Sequence, residues 1–153
     1  MRVYHAYVSA TNTVSTTVPM WNLTGGTTFQ VRLLQIIIGA STTPADFAAR
    51  FVIRRTSVAG TTSTTVTPNP IESSTGIIAA NAVFATAWSV NPTITANSDL
   101  LWIPMNARAT PIWTPPPELK IQSDAAAGDG LAMLSAVAST AQAYDFTVFW
   151  AEE

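Results

Sequence analysis

From Tyr144 to Ala151 the chain alternates without a break, with Tyr144, Phe146, Val148 and Trp150 on one side of an extended backbone and Asp145, Thr147, Phe149 and Ala151 on the other. Successive side chains of a β-strand point to opposite faces, so this spacing makes one apolar face for a core and a second face partly open to water. Thr28 to Ile38 carries a related signal. Phe29, Val31 and Leu33 alternate with Gln30 and Arg32 before an Ile36, Ile37, Ile38 triplet. Three consecutive β-branched residues favour a buried strand over a helix, because their restricted side chains fit a pleated surface better than a helical turn.

The same vocabulary recurs in short runs punctuated by Gly, Pro, Asn and Ser. It predicts further strands at Arg2 to Ser9, which reads as an edge strand, at Arg50 to Thr56, Thr93 to Ala96, Leu100 to Pro104, Glu118 to Ser123 and Gly130 to Val137, with a weaker one at Thr13 to Val18. Asn22 to Gly26 reads as a loop. Pro44 to Ala49 reads as one helical turn or a bulged connection, with Ser41, Thr42 and Thr43 as caps. Ile77 to Trp88 is Ala-rich and reads equally as strand or short helix. Residues 58–74 are Thr-rich and Pro-punctuated, which predicts a strand and then a polyproline-like exposed arm. Many short strands with Gly and Pro turns imply an all-β chain, a single domain over residues 1–153. The expected architecture is an antiparallel β-sandwich or jelly-roll-like barrel with long Thr/Pro-rich loops.

Only 10% of the residues are charged and the net charge is −2, so the polar surface must be built from Ser, Thr, Asn and Gln. Soluble domains carry roughly 25% charged residues, and weak mutual repulsion suits a chain that lives inside an assembly. There is no cysteine, which removes disulfides and thiolate metal sites. No apolar run approaches the roughly 20 residues of a membrane helix. Met1 to Ala10 lacks the apolar stretch of a signal peptide, so synthesis in the cytoplasm without export is expected.

Chemistry has little material here. His5 is the single histidine, with Tyr4 beside it and Tyr7 two residues on, and no Gly-x-Ser-x-Gly turn exposes a nucleophile. Asp124 with Asp129, or Glu118 with Asp99, are nameable carboxylate pairs without diagnostic spacing. Asp124 to Gly130 reads as a loop in which Gly128 and Gly130 take positive backbone angles and Asp129 caps a turn. Neither phosphate-cradling glycine pattern occurs. Arg50, Arg54 and Arg55 are the only basic cluster, and on a strand Arg54 and Arg55 fall on opposite faces, so they cannot meet one nucleic-acid groove. The expectation is a non-enzyme with no cofactor, no metal, no nucleic-acid partner and no membrane partner.

What remains are surfaces. Arginine suits bidentate contacts to a neighbouring subunit, and Trp113 followed by Pro115, Pro116 and Pro117 makes a rigid apolar segment of the kind that anchors interfaces. The candidate interface residues are therefore Arg54, Arg55, Pro70, Trp113, Pro115, Pro116 and Pro117.

The segments Phe51 to Thr56, Gly60 to Ile71, Thr95 to Thr110, Pro116 to Ile121 and Gly128 to Leu131 together resemble small virion proteins of tailed bacteriophages. The resemblance covers roughly Arg50 to the end and transfers no catalytic residue. It implies a capsid decoration, or cement, protein on the outer surface of an HK97-type shell, bridging capsomers, with the major capsid protein and its own copies, as trimer or dimer, for partners. A virion adhesin or carbohydrate-binding module using surface tryptophans is the alternative, and a tail or head-tail component the second.

Overall fold

The computed structural model describes residues 1–72, 78–138 and 141–153. Among these there is no helix. The strands are β1 (Arg2–Thr11), β2 (Trp21–Thr24), β3 (Val31–Ala40), β4 (Ala48–Val58), β5 (Thr61–Val66), β6 (Asn69–Pro70), β7 (Val83–Val90), β8 (Thr93–Asn106), β9 (Ile112–Trp113), β10 (Ile121–Gln122), β11 (Gly130–Ala138) and β12 (Ala143–Glu152). They form two antiparallel sheets, neither closed into a barrel. Sheet A runs β10-β3-β12-β1-β6, with β9 also on β3, and sheet B runs β5-β7-β2-β11-β4-β8. The chain is thus the expected all-β sandwich.

Both sheets bury one face in a shared core. Tyr4, Ala6 and Val8 of β1 and Tyr144, Phe146, Val148 and Trp150 of β12 enter it from sheet A. Trp21 and Leu23 of β2, Phe51 and Ile53 of β4, and Leu131 and Met133 of β11 enter from sheet B. Aromatic rings meet across the core. Tyr4 stacks on Trp150 at 6.1 Å, Trp150 on Phe84 at 5.8 Å and Phe84 on Trp21 at 5.5 Å, a file of four rings crossing from one sheet to the other. Phe51 meets Tyr144 and Phe146 edge-on at 5.1 and 5.7 Å. Such offset and edge-to-face pairs add about 0.5–1.5 kcal/mol each beyond area burial.

In β3, Trp150 pairs with Leu33 whereas Phe149 pairs with Gln35, so one residue of β3 is extra. This bulge reverses the inside-outside alternation. Val31 and Leu33 face the core before it, Ile36 and Ile38 after it, and all four are buried. Ile37 is only half-buried on the outer face.

Sheet B is bent by a continuous ribbon. The chain passes from β4 to β5 through Ala59 and Gly60, and from β7 to β8 through Asn91 and Pro92, while Thr61 pairs with Val90 and Val58 with Thr93. Gly60 has φ +75°, and a Cβ there would lie 2.4 Å from the Val90 carbonyl oxygen, so the corner requires glycine.

Several expectations are corrected. Thr13 to Val18 is not a strand; it holds one isolated bridge, Val14 to Ser135, and the Ser15 hydroxyl accepts from the Thr17 and Val18 amides to form a turn. The loop expected at Asn22 is instead β2, fully buried between β7 and β11. Its polar side chains satisfy one another: Asn22 Nδ2 donates to Thr56 Oγ1 and the Leu131 carbonyl, and Thr24 Oγ1 donates to Asn22 Oδ1. No helical turn forms at Pro44 to Ala49, where Ala48 and Ala49 already belong to β4. Thr93 to Ala96 and Leu100 to Pro104 are one irregular strand, β8, with Asn97 at φ 53° at the irregularity. Ile77 to Trp88 resolves as β7 from Val83, Ile77 itself lying outside the described residues. Gly128 has the positive φ expected of it but Gly130 does not; a Cβ on Gly130 would meet the Leu23 carbonyl oxygen at 2.5 Å.

Candidate functional site

The three consecutive prolines decide where the candidate surface lies. Without N–H groups Pro115, Pro116 and Pro117 cannot extend the ladder that β9 begins on β3, where Ile36 pairs with Trp113 and Ile37 with Ile112. The chain therefore leaves the sheet as a ridge along its edge. Gln35 Nε2 donates to Thr114 Oγ1 at 3.0 Å, and the Leu119 amide donates to the Pro116 carbonyl at 3.0 Å, fixing both ends of the ridge before β10 resumes pairing. Between ridge and sheet lies a groove of about 270 Å³ walled by Arg32, Leu34, Thr114, Pro115, Pro117 and Leu119. Arg32 is held by Glu153 at 2.9 Å. Ile112 is 63% exposed and Leu119 48%, so the ridge continues into apolar surface at both ends.

Trp113 is half-buried and packs against the core, anchoring the start of the ridge. Pro116 and Pro117 are exposed. Arg54 and Arg55 do fall on opposite faces of β4. Arg54 Nε donates to Asp99 Oδ1 at 2.6 Å within the chain. Arg55 instead reaches toward sheet A, its Nε donating to the Gln122 carbonyl of β10 at 3.4 Å, and its amide donates to Ser98 Oγ. Pro70 pairs with Tyr4 at the opposite edge of sheet A, separated from the ridge by β3, β12 and β1. The fold thus gathers Trp113 and Pro115 to Pro117 on one edge, sets Arg55 near it through β10, and keeps Arg54 and Pro70 elsewhere. Residues 58–72 span both sheets, β5 on the edge of B and β6 on the edge of A, with most side chains exposed; 73 and 74 lie outside the described residues.

Among the tryptophans, Trp21 and Trp150 are core, and Trp102 is 44% exposed with the Arg50 guanidinium 5.7 Å from its ring centroid. That cation–π contact covers part of the ring. Of the nameable carboxylates, Asp99 is engaged by Arg54, while Glu118 and Asp124 are exposed. Among the described residues no three His, Asp or Glu side chains gather to hold a metal. His5 stacks on Phe149 at 5.6 Å on the outer face of sheet A.

That outer face escaped the sequence reading. His5 lies opposite Phe149, which lies opposite Gln35, and Tyr7 lies opposite Thr147, which lies opposite Ile37 and then Ile112. Tyr7 is 55% exposed, and the Asp145 carboxylate beside it raises its phenol above the usual pKa. The signal was present in the sequence as Phe149 on the partly wet face of the last strand, but the bulge in β3, which turns Ile37 outward, hid the alignment.

No family model, curated protein or solved structure matches this chain.

Proposed function

We propose that this chain is a non-enzymatic structural protein of a tailed-phage virion, a decoration protein that binds the outside of the capsid shell and bridges neighbouring capsomers. The observation that carries the reading is the proline ridge. Its backbone is already ordered, offers no donors and presents apolar surface beside a groove, so little conformational freedom is lost when a partner docks. The low charge agrees with it. Several such contacts, each modest, sum when copies bind a repeating shell.

The test is co-sedimentation of the purified chain with undecorated shells, followed by imaging. Stoichiometric density over capsomer junctions is expected, with occupancy lost for Pro116→Asp together with Leu119→Asp and retained for Val90→Asp, an exposed position on the other sheet. Density confined to the tail or its connector would replace decoration with the head-tail reading, and no density would end both. Trp102 favours one rival, a carbohydrate-binding module, because it is the most exposed tryptophan. Binding of a glycan array that vanishes in Trp102→Ala would establish that rival.

A further inference from the structure

Among the described residues, three of the four sheet edges are closed or blunted. The β3 edge is covered by β9 and β10, and the Pro111 carbonyl and Ser123 amide complete its bonding at Ile38 and Val31. The β8 edge carries Pro104, Asp99, the left-handed Asn97 and three register shifts against β4. The β5 edge begins after the Gly60 corner and shifts register three times against β7. Such devices are how sheets avoid pairing with other chains.

The fourth edge has none over most of its length. β1 pairs with β12 at every position from Arg2 to Thr11 without a bulge, but its other side meets β6 only at Tyr4 and His5. The direction of its free groups follows from the bonds that do form. The Val3 carbonyl accepts from the Ile71 amide, so odd-numbered residues aim N–H and C=O away from β12, whereas the Asn12 amide donates to the Gln142 carbonyl on the β12 side. Tyr7, Ser9 and Thr11 therefore point their backbone groups outward, and among the described residues no backbone group bonds them. Their side chains are exposed. From Ala6 to Thr11 there is no charge and no proline.

We infer that this edge is a self-association site, and that a second copy of the chain adds its own β1 antiparallel to the first across a two-fold axis at Ser9. This register is fixed by the geometry. Pairing Ser9 with its copy and Tyr7 with Thr11 of the copy brings outward-pointing groups opposite one another at three positions, for about six backbone hydrogen bonds. A two-fold junction must be self-complementary, and this one is: it places each exposed tyrosine ring beside a threonine, a favourable cross-strand pair. It also keeps Ala6, Val8 and Ala10 on the core side of the joined sheet. The nearest charge, Asp145 on β12 opposite Ser9, would sit about three strand spacings, roughly 14 Å, from its copy, beyond the screening length at physiological salt. The inference does not depend on the decoration reading.

The test is molar mass by light scattering across a dilution series, with site-resolved amide exchange. The expected result is a species of twice 16.2 kDa that dissociates on dilution, with the Tyr7, Ser9 and Thr11 amides protected only at high concentration. Ser9→Pro removes an N–H that the β12 ladder does not use, and Ser9→Lys places a charge at the axis; each should halve the mass and leave the far-ultraviolet circular dichroism unchanged. If Ser9→Pro disturbs the fold, Ser9→Lys decides. A wild-type chain still monomeric at about 0.5 mM, an oligomer that persists in Ser9→Lys, or fast exchange at Ser9 within the oligomer would overturn the inference. Loss of shell binding with the dimer intact would instead fall on the decoration reading alone.

Discussion

Phe84→Leu is expected to destabilise the fold by about 2–4 kcal/mol, because Phe84 is the middle of the ring file that joins the two sheets. It is fully buried, 5.5 Å from Trp21 at 26° and 5.8 Å from Trp150 at 21°. Leucine keeps most of the apolar volume, and such a swap by itself costs under about 1.5 kcal/mol. The remainder comes from two lost aromatic pairs, at about 0.5–1.5 kcal/mol each. Urea unfolding followed by far-ultraviolet circular dichroism avoids the fluorescence change that altering a tryptophan's neighbour would cause. The midpoint should fall with the slope unchanged, and the melting temperature should drop by about 5–15 °C for a chain of this size. Ile38→Val is the comparison, a buried aliphatic deletion expected to cost about 0.5–1.5 kcal/mol. If Phe84→Leu costs no more than Ile38→Val, or if a double-mutant cycle with Trp150→Leu shows no coupling, the ring file is only volume and the reasoning fails.

Burial raises the Tyr144 phenol above its ordinary pKa, and its hydroxyl, which is enclosed, has no hydrogen-bond partner among the described residues. The folded state holds this phenol neutral, so its contribution is complete below about pH 10 and is lost as pH rises through the folded pKa. Tyr144→Phe should therefore leave stability at pH 7 unchanged or slightly improved and flatten the alkaline fall seen in chemical unfolding. Glu152 is buried, with Oε1 accepting from the Asn81 and Ala82 amides at 2.9 and 2.8 Å and Oε2 from Asn81 Nδ2 at 3.1 Å. Glu152→Ala should cost about 2–4 kcal/mol in urea unfolding, since it strands those donors; a loss under about 0.5 kcal/mol would show that water replaces the carboxylate without cost.

The strands that could be read from the sequence were those whose period was undisturbed. β12 alternates through its whole length, and the structure buries Tyr144, Phe146, Val148 and Trp150 as that pattern requires. β2 was hidden because Asn22 and Thr24, beside Gly25 and Gly26, look like loop chemistry until Thr56 and the Leu131 carbonyl arrive from distant parts of the chain to bond them. β3 kept its strand character, but its bulge is fixed by pairing with β12 and leaves no mark in its own residues. At the candidate surface, the prolines were legible because a missing N–H acts locally, and Arg54 was legible only as half of a pair whose other half, Asp99, is 45 residues away.

Edges are harder still, since an unpaired strand side is a property of topology. β1 reads as an edge strand from its alternation, yet which of its groups are free follows only from knowing that β6 covers Tyr4 and His5 and nothing described covers Tyr7, Ser9 or Thr11. The charge-poor composition then takes on a definite meaning. A chain with so few lysines and glutamates cannot guard every edge with charge, and this one guards three by proline, bulges and short covering strands. Blunting three edges while leaving the fourth straight and neutral restricts strand pairing to one place, where a two-fold contact closes on itself and does not propagate into a fibre.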